Sequence, residues 1–383
     1  MNLENAVEMV KSALKHPIST WLDYSPVRSP FVIYDDHDFD FIHHPNPPSE
    51  RPAQLTAATA VEINGVLTAT IPLWMCTDEQ SLIPLVYHEG FHVYQGTKFQ
   101  FAKDFDFFEV LAFYPELNPT YRALCSAETD ILNDSLLSPL EKAKLLSAVI
   151  GKRHEILAQR KGLLAFEKNL ERNEGTAMFV EQKARQILFG ISPELPAGYF
   201  GYSRQYFVGP AICQLLDQIS SVEEWKNAVV LGQSISEFLI ETAPPEQTDW
   251  AKLGIATREA VEKQNVDRIL AEANQKMENL LTSHPVILRL PRQARVSRSF
   301  SPRSIVALGD GRLIHPEFVV IQIPNGKISI QGQMTVENYV ERTVMFNAIL
   351  SDLVDHRLEL DSENVKISLE QVRPLPDGSF ELF

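Results

Sequence analysis

Apolar positions recur along the chain with two different periods, and the change of period divides it. Leu3, Val7, Val10 and Leu14 fall on one helical stripe, which predicts a short helix over 3–15. From Pro17 to Pro52 the pattern is irregular and rich in Pro, Asp and His. Residues 54–63 and 66–73 are apolar runs with many Thr and Val on either side of Asn64-Gly65. That dipeptide tolerates positive φ at both positions, so the two runs read as a strand hairpin.

A helix follows across LIPLVYHEGFHVYQ, with Leu82, Val86 and Val93 on the core side and Leu85, His88 and His92 on an adjacent face. Thr77-Asp78-Glu79-Gln80 has capping-box spacing, while a start at Ser81 would place Pro84 harmlessly in the first turn. The helix is expected to run to about Tyr94 and stop near Gly96. Residues 118–190 read as almost wholly helical, opening at Asn118-Pro119 and again at the capping box Ser138-Pro139-Leu140-Glu141. One helix cannot plausibly fill the rest, so a break or bend is expected near Arg172–Gly175, with Gly190 as the stop.

Residues 191–206 form a Tyr- and Gly-rich loop, a helix is expected over 208–220, and helix continues to about 281 with an interruption at Ala243-Pro244-Pro245. After Pro285 the pattern becomes alternating and β-branched, as in SIVALGDGRLIHPEFVVIQIP and GKISIQGQMTV. The expected fold is therefore α+β: a mainly helical domain with a small sheet over about 1–282, then a β-rich module over about 283–383.

Composition narrows the function. A 44% hydrophobic content supports a full core without disulfides or structural metal, so any metal serves chemistry. A net charge of −15 argues against a general binder of nucleic acid or anionic membranes. Cys76, Cys125 and Cys213 are far apart and read as reduced, buried thiols. The first residues lack an apolar signal segment and no stretch approaches a membrane span, so a cytoplasmic protein is expected.

The chemistry lies in His88-Glu89-Gly90-Phe91-His92, an HExxH sequence. Residues four apart on a helix share one face, so both imidazoles can bind one Zn²⁺. Glu89, beside them, can take a proton from an attacking water and later protonate the leaving group. A catalytic zinc needs a third protein ligand and an open position.

Asn173-Glu174-Gly175-Thr176-Ala177 resembles the N-E-x-x-A/S pattern of thermolysin-like enzymes. With HExxH, the chain resembles the gluzincin branch of the zincin metallopeptidases. The resemblance implies Glu174 as third zinc ligand, peptide-bond hydrolysis, and an edge strand that binds substrate by β-addition, with 66–73 as the candidate strand. It covers about 54–210 and is carried by the two short motifs. The metzincin pattern would need Gly at 95 and His at 98, where this chain has Gln95 and Lys98.

The chain departs from the thermolysin pattern in two ways. The link from His92 to Glu174 is far longer, which a helical insertion over about 118–170 would explain. The supporting carboxylate expected four residues after the Glu is Met178 here, and Glu181, two helical turns on, could serve instead. An oxyanion donor beyond the third ligand is sought among Tyr199, Tyr202, Arg204 and Tyr206, with Tyr206 preferred because a helix from Val208 would anchor it.

Other chemistry is thin. His37, His43 and His44 among Asp35, Asp36, Asp38 and Asp40 read as a solvated loop, and His154-Glu155 lacks a His at 158. The expected partner is a peptide or protein substrate. Hydrolysis of other amides or esters, and a non-catalytic binding role, remain as competing readings.

Overall fold

The computed structural model describes residues 1–101, 105–193, 195, 198, 200–291, 296–300, 304–350, 353 and 355–382. The fold is α+β, with a helical N-terminal region and a C-terminal part built of sheets. No helix among the described residues is long and apolar enough to cross a membrane.

Helix α1 (Leu3–Lys15) buries Ala6, Val7, Val10 and Leu14 and is capped by Asn2. The small sheet comprises β1 (Phe31–Tyr34), β2 (Phe39–Ile42), β3 (Thr59–Ile63) and β4 (Val66–Pro72), in the order β2-β1-β4-β3. Asn64 and Gly65 both adopt positive φ in the β3–β4 hairpin, as their types require. The expected edge strand is corrected: β4 lies inside the sheet, parallel to β1 and antiparallel to β3. The reason is β1, whose four residues are all buried and therefore show no alternation within an irregular stretch. Edges fall to β2 and β3. The His- and Asp-rich run is only in part a solvated loop: Asp35–Asp38 form the β1–β2 turn, in which the Asp35 carboxylate accepts from the backbone N–H groups of His37 and Asp38, each at 2.8 Å, while Asp40 lies in β2 and His44 is buried beyond it, 3.2 Å from the Ile63 carbonyl.

Helix α2 (Glu79–Lys98) carries the HExxH sequence and starts two residues before Ser81. Asp78 and Ser81 form a reciprocal cap, which outweighs Pro84 in the second turn. Pro84 only denies a partner to the carbonyl of Gln80, which is exposed to water. Gly96 is not the stop either; it lies inside the helix, where a Cβ would sit 2.5 Å from Leu67 Cδ2, so it serves close packing on β4.

The helices that follow are α3 (Phe107–Ala112), α4 (Pro119–Asn133), α5 (Pro139–Leu157) and α6 (Leu163–Leu170). Then come a π-helical turn, Glu171–Gly175, and α7 (Thr176–Phe189), ending at Gly190 in the left-handed region. The expected break near 172–175 is thus a π turn inside a continuing helix. Helix α8 (Gln205–Ile219) begins earlier than Val208, so Tyr206 stands in its first turn and not in the preceding loop. Helices α9 (Val222–Val230), α10 (Ile235–Thr242) and α11 (Ile255–Thr282) complete the region.

The C-terminal part packs two sheets over an aliphatic core of residues such as Leu288, Ile321, Ile328, Val344 and Leu369. It also shares a core with the helices: Ile305, Ala307 and Leu313 join Tyr114, Phe166 and Tyr202.

One contact sets the spacing of the π turn from α8. A Cβ on Gly209 would lie 2.5 Å from the Gly175 Cα, so the two backbones touch. Gly209→Ala is therefore expected to destabilise by about 1–3 kcal/mol, because backbone cannot step aside as a side chain can. Gly151→Ala, in mid-helix with nothing within 4 Å of its Cβ, is expected to stabilise by about 0.5–1 kcal/mol. Denaturant unfolding of the two variants beside wild type checks both signs.

Candidate metal centre

Helical spacing puts His88 and His92 one turn apart on α2, with their Nε2 atoms 3.1 Å from each other. The π turn brings Glu174 opposite, its Oε2 3.8 Å from His88 Nε2 and 3.6 Å from His92 Nε2. The three donor atoms all lie within 4.8 Å of one another. Ligands about 2.0–2.1 Å from a tetrahedral Zn²⁺ stand roughly 3.3 Å apart, so the cluster has the right size.

The partners on the far side of each ring decide which nitrogen is free. Gln95, 1% exposed, points its side-chain amide between α2 and the π turn. Its Nε2 donates to the carbonyls of Arg172 at 2.9 Å and Asn173 at 2.8 Å, and to Thr176 Oγ1 at 2.8 Å. Carbonyls only accept, so the amide can face them only with nitrogen. Its Oε1 is then fixed toward His92, 2.7 Å from Nδ1. His92 must carry its proton on Nδ1 to make that bond, which leaves Nε2 with a bare lone pair.

His88 is held similarly: Glu181 Oε2 lies 3.0 Å from its Nδ1, close enough for charge pairing though off the line of a straight hydrogen bond. Glu181 is in turn paired with Arg185 at 3.0 Å. Two Nε2 atoms and a carboxylate oxygen thus converge on one point, a group that could hold a metal ion.

The field of the site favours positive charge, which without a metal is held as protons on the rings. Burial opposes a charge on His88, but Glu174 and Glu181 outweigh it and raise its pKa well above the ordinary value. His92 is also raised, burial being overcome by Glu174. Glu174 is lowered, because His92 and His88 more than offset its burial.

Glu89 sits in the same helix turn, 4% exposed, and its Oε2 has no hydrogen-bond partner among the described residues. Burial raises its pKa, with His88 and His92 acting against the rise. A buried carboxylate oxygen left unpaired is costly as an anion, which is why burial raises its affinity for a proton.

Tyr206 completes the wall. Its ring lies parallel to that of His88, with centroids 6.5 Å apart and planes 3° apart. Burial, then the charge of Glu174, raises its pKa well above the ordinary value, so it stays a neutral donor.

The other loop candidates separate. Tyr202 is buried and packs on Phe107, Phe166 and Phe300. Arg204 turns away from the centre to pair with Glu128 at 2.7 Å. Tyr199 lies outside the described residues.

Sequence reasoning brings together His88, Glu89, His92, Glu174, Glu181 and Tyr206, and misses Gln95. Its one available signal is a position three residues after His92, one helical turn along the same face.

Beneath the centre runs a buried ionic network. Arg153 pairs with Glu167 and, at 3.2 Å, with Glu128. Glu167 also accepts from Tyr114 and, at 2.8 Å, from Gln205 beside Tyr206. The network ties α4, α5, α6 and α8 together.

Comparison of the chain with family models, with curated proteins and with solved structures finds no match.

Gln95→Leu keeps the bulk but leaves the His92 ring N–H without its partner and leaves the carbonyls of Arg172 and Asn173 only their bonds from Thr176. One such buried group costs about 1–3 kcal/mol, so metal-free protein is expected to lose about that much. Hydrogen exchange should localise the loosening to 171–176. Unchanged stability and exchange would deny Gln95 its bridging role.

Proposed function

We propose that this protein is a zinc-dependent hydrolase of gluzincin type that cleaves peptide bonds, with His88, His92 and Glu174 as metal ligands. The observation that carries the reading is the convergence of two Nε2 lone pairs and the Glu174 carboxylate beside the buried, unpartnered Glu89. Three protein ligands leave a position open, as a catalytic site requires. Zn²⁺ bound there would polarise a carbonyl and acidify water.

The chain's own residues supply the rest. Glu89 accepts a proton as the water oxygen attacks the carbonyl carbon. It then passes the proton to the leaving nitrogen as the C–N bond breaks. Its burial, which raises its pKa, makes it a stronger base than an exposed carboxylate. Tyr206 donates a hydrogen bond to the oxygen on which negative charge develops. Gln95 holds the His92 ring in the tautomer that exposes Nε2, and the Glu181 carboxylate stands 3.0 Å from His88 Nδ1, on the far side of that ring.

The peptide bond is selected by the resemblance to gluzincins, and the edge strand β3 fits it. β3 packs beside α2 and leaves its outer edge free of strand pairing among the described residues. An extended substrate can add to such an edge through backbone hydrogen bonds.

Metal analysis of reconstituted wild type is expected to give about one zinc per chain, with affinity lost in Glu174→Ala. Wild type that takes up no zinc would refute the reading. Glu89→Gln should retain zinc and lose about 10²–10⁴-fold in turnover on a peptide panel. A variant that still turns over at the wild-type rate would remove Glu89 as base. Turnover of esters alone, lost in Glu89→Gln, would move the assignment from peptidase to esterase.

A further inference from the structure

A second incomplete site lies away from the metal centre. A surface pocket of about 830 Å³ is lined by the segment 19–23, by Tyr94 and Lys98 of α2, by Lys183 of α7, and by one face of α9 including Lys226. None of His88, Glu89, His92, Glu174 or Tyr206 lines it.

Lys226 is its unusual member. It is 3% exposed, and no ion pair or hydrogen bond engages it among the described residues. Its ammonium instead faces three aromatic rings, 5.0 Å from the Trp21 centroid, 5.2 Å from Phe179 and 5.4 Å from Trp225. Ring faces offset only part of the desolvation of a buried cation. The acid whose charge reaches it, Asp217, is committed to Lys183 at 2.8 Å and to the Trp225 indole N–H at 3.0 Å.

Two further donors in the lining are buried and unpartnered among the described residues: the Trp21 indole N–H and the Thr20 hydroxyl. Lys98 stands at the rim, 3.5 Å from Asp23, which also accepts from Tyr94 at 2.6 Å. Glu223 lines the pocket too. Burial, then the charge of Lys183, pushes the Lys226 ammonium down to about 8, so it remains mostly protonated at neutral pH.

We infer that this pocket binds the phosphate group of a small organic molecule, with the unpaired Lys226 ammonium as its buried charge and Lys98 at its rim. An ammonium without an anionic partner suits an oxyanion and is useless to a metal, and the unpaired Trp21 N–H and Thr20 hydroxyl lie on residues of the same lining. The volume lies within the range of pockets that hold whole small molecules, so the phosphate is one end of a larger ligand. Leu22, Val222 and Val230 offer apolar surface for the remainder.

The test is calorimetric titration of the full, chelator-treated chain with inorganic phosphate and with pyrophosphate, following tryptophan fluorescence in parallel. Metal-free protein removes any phosphate binding through zinc, so the result does not depend on the function proposed above. Saturable binding is expected, with a fluorescence change that is lost in Trp21→Phe.

Lys226→Met, which keeps the side-chain length against the rings, should weaken binding at least about tenfold, the effect of one charge-assisted hydrogen bond. Lys98→Ala, exposed and harmless to the fold, should weaken it about two- to fivefold by removing one rim charge. Absence of saturable binding in wild type overturns the proposal. So does equal affinity in wild type and Lys98→Ala together with a fluorescence response that survives in Trp21→Phe.

Discussion

The geometry of the centre depends on one side-chain amide. Gln95 meets two backbone carbonyls and a hydroxyl on one side and an imidazole on the other, and only one orientation of the amide turns its donors toward the carbonyls and its acceptor toward the ring. The same group therefore fixes the tautomer of His92 and the position of the turn that presents Glu174. The π turn makes this possible. At Glu171–Gly175 the helix widens, and there the carbonyls of Arg172 and Asn173 accept from Gln95 as well as from Thr176.

Everything else around the centre serves that alignment. The Gly175–Gly209 contact brings α8 within backbone distance of the π turn, so Tyr206, one turn earlier on α8, stacks on His88. The ionic network of Arg153, Glu128, Glu167 and Arg204 anchors the start of α8 from below. Such a network is no strong source of stability, since desolvation of its charges consumes most of the attraction. Its directional bonds do specify how four helices meet. The C-terminal sheets reach the same wall through Phe300 against Tyr202, so the outer part of the chain is packed onto the loop that precedes Tyr206.

What the sequence discloses follows from what is local. HExxH is read at once because helix geometry alone brings residues four apart together. The Asn-Gly hairpin is read because it depends on φ at two residues. Glu174 is reached by its motif, and the break near it by the excessive length of the helical pattern. Gln95 is missed because its value lies in a contact with Arg172 and Asn173, distant in sequence, and a lone glutamine on a helix carries no signal. β1 is missed because a strand buried on both faces has no alternation, and with it goes the placement of β4 inside the sheet. Pro84 misplaces the start of α2 because the pattern gives no measure of how well water can satisfy the carbonyl of Gln80.

The two incomplete sites share a physical boundary. Phe91, between the zinc-motif histidines in sequence, packs edge-on against Trp21 at 5.1 Å, and Phe179 of α7 lies 6.1 Å from the same indole. The metal centre and the Lys226 pocket thus back onto one aromatic layer. On the readings proposed above, one would take a cation and the other an anion. The rings between them carry no charge, so neither side can neutralise the other and each would take its counter-charge from solution. Low polarity also leaves fields less screened than across water, so on those readings the two charges would favour each other across the layer.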